Sequence, residues 1–65
     1  MNGWQVKAVL FAKDKGKITN SDYQVLNSIS KRTATTELTE LVDKFKVLIK
    51  TGTSGSSIFY KIVGQ

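Results

Sequence analysis

The sequence has no cysteine, no histidine and no proline among its 65 residues. Without cysteine the chain has no disulfide, no thiol nucleophile and no cysteine-ligated metal site. Without histidine it lacks the most common general base and transition-metal ligand. The carboxylates are also few, namely Asp14, Asp22, Glu37, Glu40 and Asp43. The sequence therefore indicates no enzyme, no bound metal and no cofactor.

Long apolar segments are absent as well. No run approaches the ~20 residues that a membrane-spanning helix needs. Met1 is followed by Asn-Gly-Trp rather than by a basic segment and a long apolar stretch. We expect a soluble, unsecreted protein of the cytoplasm. The length and the 40% hydrophobic content suit one small domain over residues 1–65, which we expect to be a module or fragment of a larger protein.

Positive charge is in excess. Ten Lys and Arg residues against five Asp and Glu residues give a net charge of +5, and the isoelectric point is near 9.8. A value above about 9 is typical of nucleic-acid-binding domains. Charge alone does not identify a partner, because many small basic domains bind nothing anionic.

The N-terminal segment has the pattern of an amphipathic helix over about residues 3–14. Asn2 is a candidate N-cap, and Gly16 supplies the left-handed residue that ends many helices. Lys13 and Lys15 suit the negative end of the helix dipole. The apolar residues that follow one helical face, and that we expect in the core or at its edge, are Trp4, Ala8, Phe11 and Ala12.

The segment Lys17–Thr19 is long enough only for a small edge strand, and a short second helix follows it. Thr19 and Asp22 are close to the spacing of a capping box, which assigns Asp22 to helix capping. Asn27 and Ser28 interrupt this helix after about two turns. Its apolar side comes from Tyr23, Leu26 and Val25.

The third helix has the clearest pattern in the sequence. Ser30 is its candidate N-cap, and the spacing predicts a helix over Lys31–Lys44 with every charge on the outside. We expect Glu40 and Lys44 to form a surface pair one turn apart. The apolar residues at helical spacing are Ala34, Leu38, Leu41, Val42 and Phe45.

The C-terminal part has the pattern of a β-hairpin. Two runs rich in β-branched and aromatic residues, Val47–Lys50 and Ile58–Val63, flank a Gly/Ser/Thr loop over Thr51–Ser57. Gly52 and Gly55 suit the positive φ angles of such a loop. Tyr60 in the second run is expected in the core or at its edge.

The element order is helix, short strand, helix, helix, strand, strand. This is the α-β-α-α-β-β order of a winged helix-turn-helix, an α+β fold. The break of about three residues around Ile29 fits the turn between its second and third helices. A plain three-helix bundle does not need the terminal hairpin.

Two segments also carry a resemblance to a known group. Ile18–Gln24 and Ile29–Ala34, followed by Leu38, Leu41 and Val42, resemble the C-terminal winged helix of bacterial RecG-like helicase-related regulators and Fic-type proteins. The Ser-x-Arg-Thr-Ala stretch is typical of this group and of its DeoR-like relatives. The resemblance implies duplex DNA binding within a transcriptional regulator or helicase-related protein, or a regulatory module beside a larger domain.

The start of the third helix is the candidate DNA-contacting surface. Recognition helices contact base edges mainly through their N-terminal residues, and arginine and threonine side chains suit such contacts. An alternative is a solvated helix start with ordinary surface threonines. The candidate residues are Lys31, Arg32, Thr33, Thr35 and Thr36, with Thr33, Thr36, Glu40 and Asp43 sharing the outward side of Arg32.

The predicted hairpin also carries candidate binding residues. Lys50 and Lys61 on the hairpin are predicted to flank a DNA backbone, or else to guard a strand edge against aggregation. The wing residues Thr53–Ser57 carry no positive charge, so Gly52, Thr53 and Gly55 would contribute backbone N–H groups.

Val6 and Leu10 lie opposite the predicted core face of the first helix. They are either incidentally exposed or dock against a second copy of the chain or a domain of the parent protein. A protein-contact module without DNA binding is therefore the alternative function.

Overall fold

In the computed structural model, which describes residues 1–52 and 58–64, three helices precede a two-stranded antiparallel hairpin. The elements are α1 (Gly3–Lys15), α2 (Asn20–Asn27), α3 (Lys31–Asp43), β1 (Leu48–Thr51) and β2 (Phe59–Ile62). The fold is thus a small α+β domain. In place of the strand predicted at Lys17–Thr19, only an isolated β-bridge joins Ile18 to Tyr60.

The helices begin where the capping residues predict. Asn2, Thr19 and Ser30 are the N-caps, and each side chain accepts a hydrogen bond from the backbone N–H three residues further on. In α1 and α2 the bond is reciprocated, because the side chains of Gln5 and Asp22 accept from the backbone N–H of their caps. Asp22 is therefore a capping residue, as predicted.

Residues with positive φ angles follow the helix ends. Gly16 after α1 has a φ of 93°, and Ser28 after α2 has a φ of 53°. After α3, Lys46 adopts this conformation, with a φ of 55°. The chain therefore reverses direction there without a glycine. The N–H of Val47 donates to the carbonyl of Leu41 across this turn at 2.9 Å.

The hydrophobic core lies between the three helices and one face of the hairpin. The sequence prediction of a buried Ala34, Leu38 and Leu41 is confirmed. Phe11, Ile29, Val42 and Phe45 are partly buried against this core. Among the residues that the structure describes, the buried apolar ones are Ala8, Ala12, Ile18, Tyr23, Ala34, Leu38, Leu41, Leu48 and Tyr60.

Two apolar residues predicted to be inward are exposed. Trp4 is 43% exposed, and the neighbouring Gln5 is buried in its place, since the Gln5 amide has hydrogen-bond partners on α3. Val25 is 82% exposed. It follows the buried Tyr23 by two residues, which turns it about 200° away from the core at ~100° per residue.

A carboxylate is buried among the helices, contrary to the expectation that every charge of α3 lies outside. Glu37 is only 9% exposed. One carboxylate oxygen accepts from the Tyr23 hydroxyl at 2.5 Å, and the other accepts from Asn2 Nδ2 at 2.9 Å. Gln5 Nε2 donates to the Glu37 carbonyl at 3.2 Å and to Glu40 Oε1 at 2.9 Å. This polar network ties α1 and α2 to α3.

No helix in the described part of the chain combines the length and apolarity required to cross a membrane.

Replacing Tyr23 by phenylalanine tests the polar network. Tyr23→Phe leaves one buried Glu37 oxygen without its donor, so the free energy of unfolding should fall by about 1–3 kcal/mol in urea denaturation. Tyr60→Phe is the matched control, because within residues 1–52 and 58–64 the Tyr60 hydroxyl makes no hydrogen bond. Its expected change is within about 0.5 kcal/mol. Equal losses for both variants would contradict the role given to the network.

Alkaline pH should destabilise the fold. Burial, reinforced by the hydrogen bond to Glu37 and by the negative charges of Glu37 and Glu40, raises the pKa of Tyr23 far above its usual range. Burial also raises the pKa of Tyr60. Above about pH 10 the unfolded chain loses these protons while the folded chain keeps them. The contribution of these two tyrosines to stability is therefore constant below this pH, and above it stability falls by up to about 1.4 kcal/mol per pH unit for each tyrosine.

Urea denaturation at a series of alkaline pH values measures this slope, and Tyr23→Phe should flatten it. Tyrosinate absorbance should rise together with the loss of helical circular dichroism. A rise while the helical signal stays native would show that the two tyrosines ionise in the folded state.

Candidate nucleic-acid interface

The exposed start of α3 is positively charged. Lys31 and Arg32 are exposed in its first turn, and no acidic residue lies there. A helix N-terminus carries about half a positive charge and favours acidic neighbours, so these cations do not stabilise the helix itself. Charge and helix dipole together make this end of α3 suited to an anionic ligand.

One polar stripe follows the outward side of α3. Arg32, Thr36 and Asp43 are exposed there, as predicted. Thr39 is exposed between them, seven residues after Arg32, and belongs to the same side. Thr39 is not among the residues predicted from the sequence, although its helical spacing from Arg32 identifies it.

Two of the threonine hydroxyls of α3 already donate hydrogen bonds within the helix. Thr35 Oγ1 donates to the Lys31 carbonyl at 2.9 Å and accepts from Asn20 Nδ2 at 2.9 Å. Thr36 Oγ1 donates to the Arg32 carbonyl at 3.1 Å. Toward a ligand, these side chains therefore present acceptor lone pairs and methyl groups. Such groups suit the amino groups of adenine or cytosine and the methyl group of thymine.

Thr33 lies at the side of this surface rather than at its centre. It is half-buried, and its hydroxyl accepts from Ser30 Oγ at 3.1 Å. Its backbone N–H donates to Oγ of Ser30, the N-cap residue of α3.

A groove runs between α3 and the hairpin. Its wider part has a volume of about 280 Å³ and meets a smaller cleft of about 120 Å³ that shares Lys50 and Tyr60 with it. The smaller cleft is also lined by Thr39, Val42 and Asp43. The wider part is lined by Asn20, Lys31, Thr35, Lys50, Ile58 and Tyr60.

The two hairpin lysines lie on opposite faces. Lys50 pairs with Tyr60 in the antiparallel register, and Lys61 pairs with Ile49. Because successive strand residues point to opposite faces, Lys50 joins the groove beside α3 and Lys61 faces away with the exposed Ile49. The structure thus brings Lys50 together with Lys31, and it leaves Lys61 apart from them.

The loop glycines are described only in part. Gly52 has a φ of 108°, as its place at the start of the loop predicts. Thr53, Gly55 and the rest of the predicted wing over Thr53–Ser57 lie outside the described residues.

Two of the acidic groups of α3 point away from the groove. Glu37 is buried in the polar network, and the half-buried Glu40 accepts from Gln5 of α1. The predicted pair between Glu40 and Lys44 is not formed, because the Glu40 carboxylate is directed to α1. Among residues 1–52 and 58–64 the one ion pair joins Asp14 to Lys15 at 3.7 Å. Asp43 is the carboxylate left on the outward stripe, at its far end.

A second exposed surface lies on α1. Val6 is 42% exposed and Leu10 is 60% exposed, while Ala8 and Ala12 on the opposite side are fully buried. The predicted exposure of both residues is confirmed, and their docking role stays a prediction.

Comparisons with protein-family models, with curated proteins and with solved structures found no match to this chain. Its function therefore has to be inferred from the geometry of these surfaces.

Proposed function

We propose that this chain is a winged helix-turn-helix module that binds duplex DNA. In this proposal the first turns of α3 lie in the major groove, and the hairpin contacts the adjacent sugar-phosphate backbone. The resemblance of residues 18–42 to bacterial regulator winged helices supports the same function. A duplex DNA partner in a bacterial regulator also implies a cytoplasmic location.

The observation that carries the proposal is the uncompensated positive charge at the start of α3. Lys31 and Arg32 are exposed beside a helix N-terminus, and Lys50 lines the adjacent groove. Packing alone does not explain three cations at this place, since the helix dipole opposes the first two. Because Glu37 and Glu40 are turned toward α1 and α2, Asp43 at the far end of α3 is the one carboxylate of this helix left on the outward side.

The relation of α2 to α3 supports the same function. Ser28 ends α2, and Ser30 caps α3 two residues later. The half-buried Ile29 packs against the core between them. The bond from Asn20 to Thr35 also holds the start of α2 beside α3. In helix-turn-helix proteins, the later of the two helices is held against the earlier one in this way and lies in the major groove. Here α3 is the later helix, and α2 is the helix that supports it.

Protein contact is the second candidate function. The exposure of Leu10 and Val6 on α1 favours it, because both are large apolar residues on the side opposite the core. This surface shares no residue with the α3 groove. The two functions are therefore compatible and separately testable.

Arg32→Ala tests base contact. If Arg32 contacts a base, the variant should weaken binding to duplexes selected by the wild type by about 1–3 kcal/mol. Fluorescence anisotropy at low salt measures this change. Lys46→Ala is the matched control, because it removes the same charge at an exposed residue that lines neither part of the groove and lies outside α1, and it should change affinity little. Unchanged affinity of Arg32→Ala at low salt would end the proposal for this helix.

Lys50→Ala tests phosphate contact by the hairpin. The loss should be similar for selected and random duplexes, and the slope of log affinity against log salt should become shallower by about 1. Lys61→Ala is the control on the other face of the same strand pair, and its expected slope is that of the wild type. If Lys61→Ala changes the slope and Lys50→Ala does not, the binding face of the hairpin is the opposite one.

A further inference from the structure

The outward side of α1 forms a small apolar face with charged flanks. Leu10 lies at its centre, about 160° from the buried Ala12 at ~100° per residue. Val6 lies one turn before Leu10. We call the exposed set of Val6, Lys7, Leu10, Lys13 and Asp14 the α1 face.

The charges of the α1 face are divided between its two flanks. Lys7 and Asp14 are seven residues apart, so both lie on the same flank of Leu10. Lys13 lies on the other flank, which it shares with Val6 two turns earlier. Within residues 1–52 and 58–64 Asp14 is paired only to the neighbouring Lys15, and both of these side chains are largely exposed. In the described part of the chain Lys7 has no ion-pair partner.

This arrangement is complementary to itself under two-fold symmetry. When two identical helices pair antiparallel, the same flank of each faces the other, and position i meets position j with a constant sum of i and j. If the axis passes beside Leu10, between residues 10 and 11, Lys7 of one copy lies opposite the partner's Asp14. The same pair forms a second time across the axis. The two Leu10 side chains then meet at the centre.

We propose that the α1 face pairs with the α1 face of a second copy, as an antiparallel helix pair. Leu10 packs on its equivalent across the axis, and two Lys7–Asp14 ion pairs set the register. Lys13 of each copy extends its aliphatic stem toward the partner's Val6. The two Lys13 ammonium groups lie five residues apart along the axis, about 7.5 Å, which limits their repulsion.

The small size of the α1 face predicts a weak dimer. A 13-residue helix is about 20 Å long, so the pair buries less than the ~1,200 Å² of a standard stable interface. We expect a dissociation constant of about 100 μM or above. DNA carrying two half-sites would raise the effective concentration of two copies and so favour the pair.

Reciprocal charge exchange tests the register directly. Lys7→Asp places two carboxylates opposite each other, and Asp14→Lys places two ammonium groups opposite each other. Each variant should weaken self-association about tenfold in sedimentation equilibrium. The double variant Lys7→Asp/Asp14→Lys recreates both pairs with exchanged signs and should recover the affinity of the wild type. Circular dichroism checks that all variants keep their helices.

Lys46→Asp is the control for net charge. It changes the charge from +5 to +3, as Lys7→Asp does, at an exposed position away from α1. The proposal expects wild-type association for this control. A wild type that stays monomeric at about 1 mM overturns the proposal, as does a double variant that associates no better than the single ones. Neither result decides whether a single copy binds DNA, because the α3 groove does not include these residues.

Discussion

The buried carboxylate of Glu37 is the constraint on which the arrangement of the helices depends. It receives hydrogen bonds from the cap of α1 and from Tyr23 on α2, and the adjacent backbone carbonyl receives the amide of Gln5. A carboxylate buried without donors would cost several kcal/mol, so these donors have to be in place whenever the core is closed. Hydrophobic contacts are non-directional, whereas these hydrogen bonds are directional. The polar network therefore constrains how α1 and α2 are placed against α3.

Fixing α3 through its acidic side has a consequence for its outward side. The carboxylates of Glu37 and Glu40 are used in contacts with α1 and α2, while Lys31 and Arg32 remain exposed at the start of the helix. On this helix of 13 residues, the side chains that hold the fold together thus lie apart from the exposed positive charges. The hairpin adds Lys50 to the same side through its register with the buried Tyr60. The proposed binding surface therefore follows from the way the core is closed.

Much of the fold follows from local signals in the sequence. Asn2, Thr19 and Ser30 each begin a helix because their side chains satisfy free backbone N–H groups, and this chemistry acts within a few residues. The hairpin runs and the core face of α3 follow from hydrophobic periodicity. The burial of Glu37 does not follow from local signals. Its hydrogen-bond donors, Asn2 and Tyr23, lie 35 and 14 positions before it in the sequence. The separation of Lys50 from Lys61 also depends on the pairing register of the two strands, and a seven-residue loop does not determine that register.

In the proposed function, the start of α3 and the adjoining face of the hairpin bind duplex DNA. An amide chemical-shift titration of the wild-type chain with a short duplex at low salt tests it most directly, because every part of the surface is observed at once. If this surface binds DNA, the largest shifts will fall on residues 31–39 and around Lys50, and residues 5–14 of α1 will change little. An absence of saturable shifts, or shifts concentrated on α1, would contradict it.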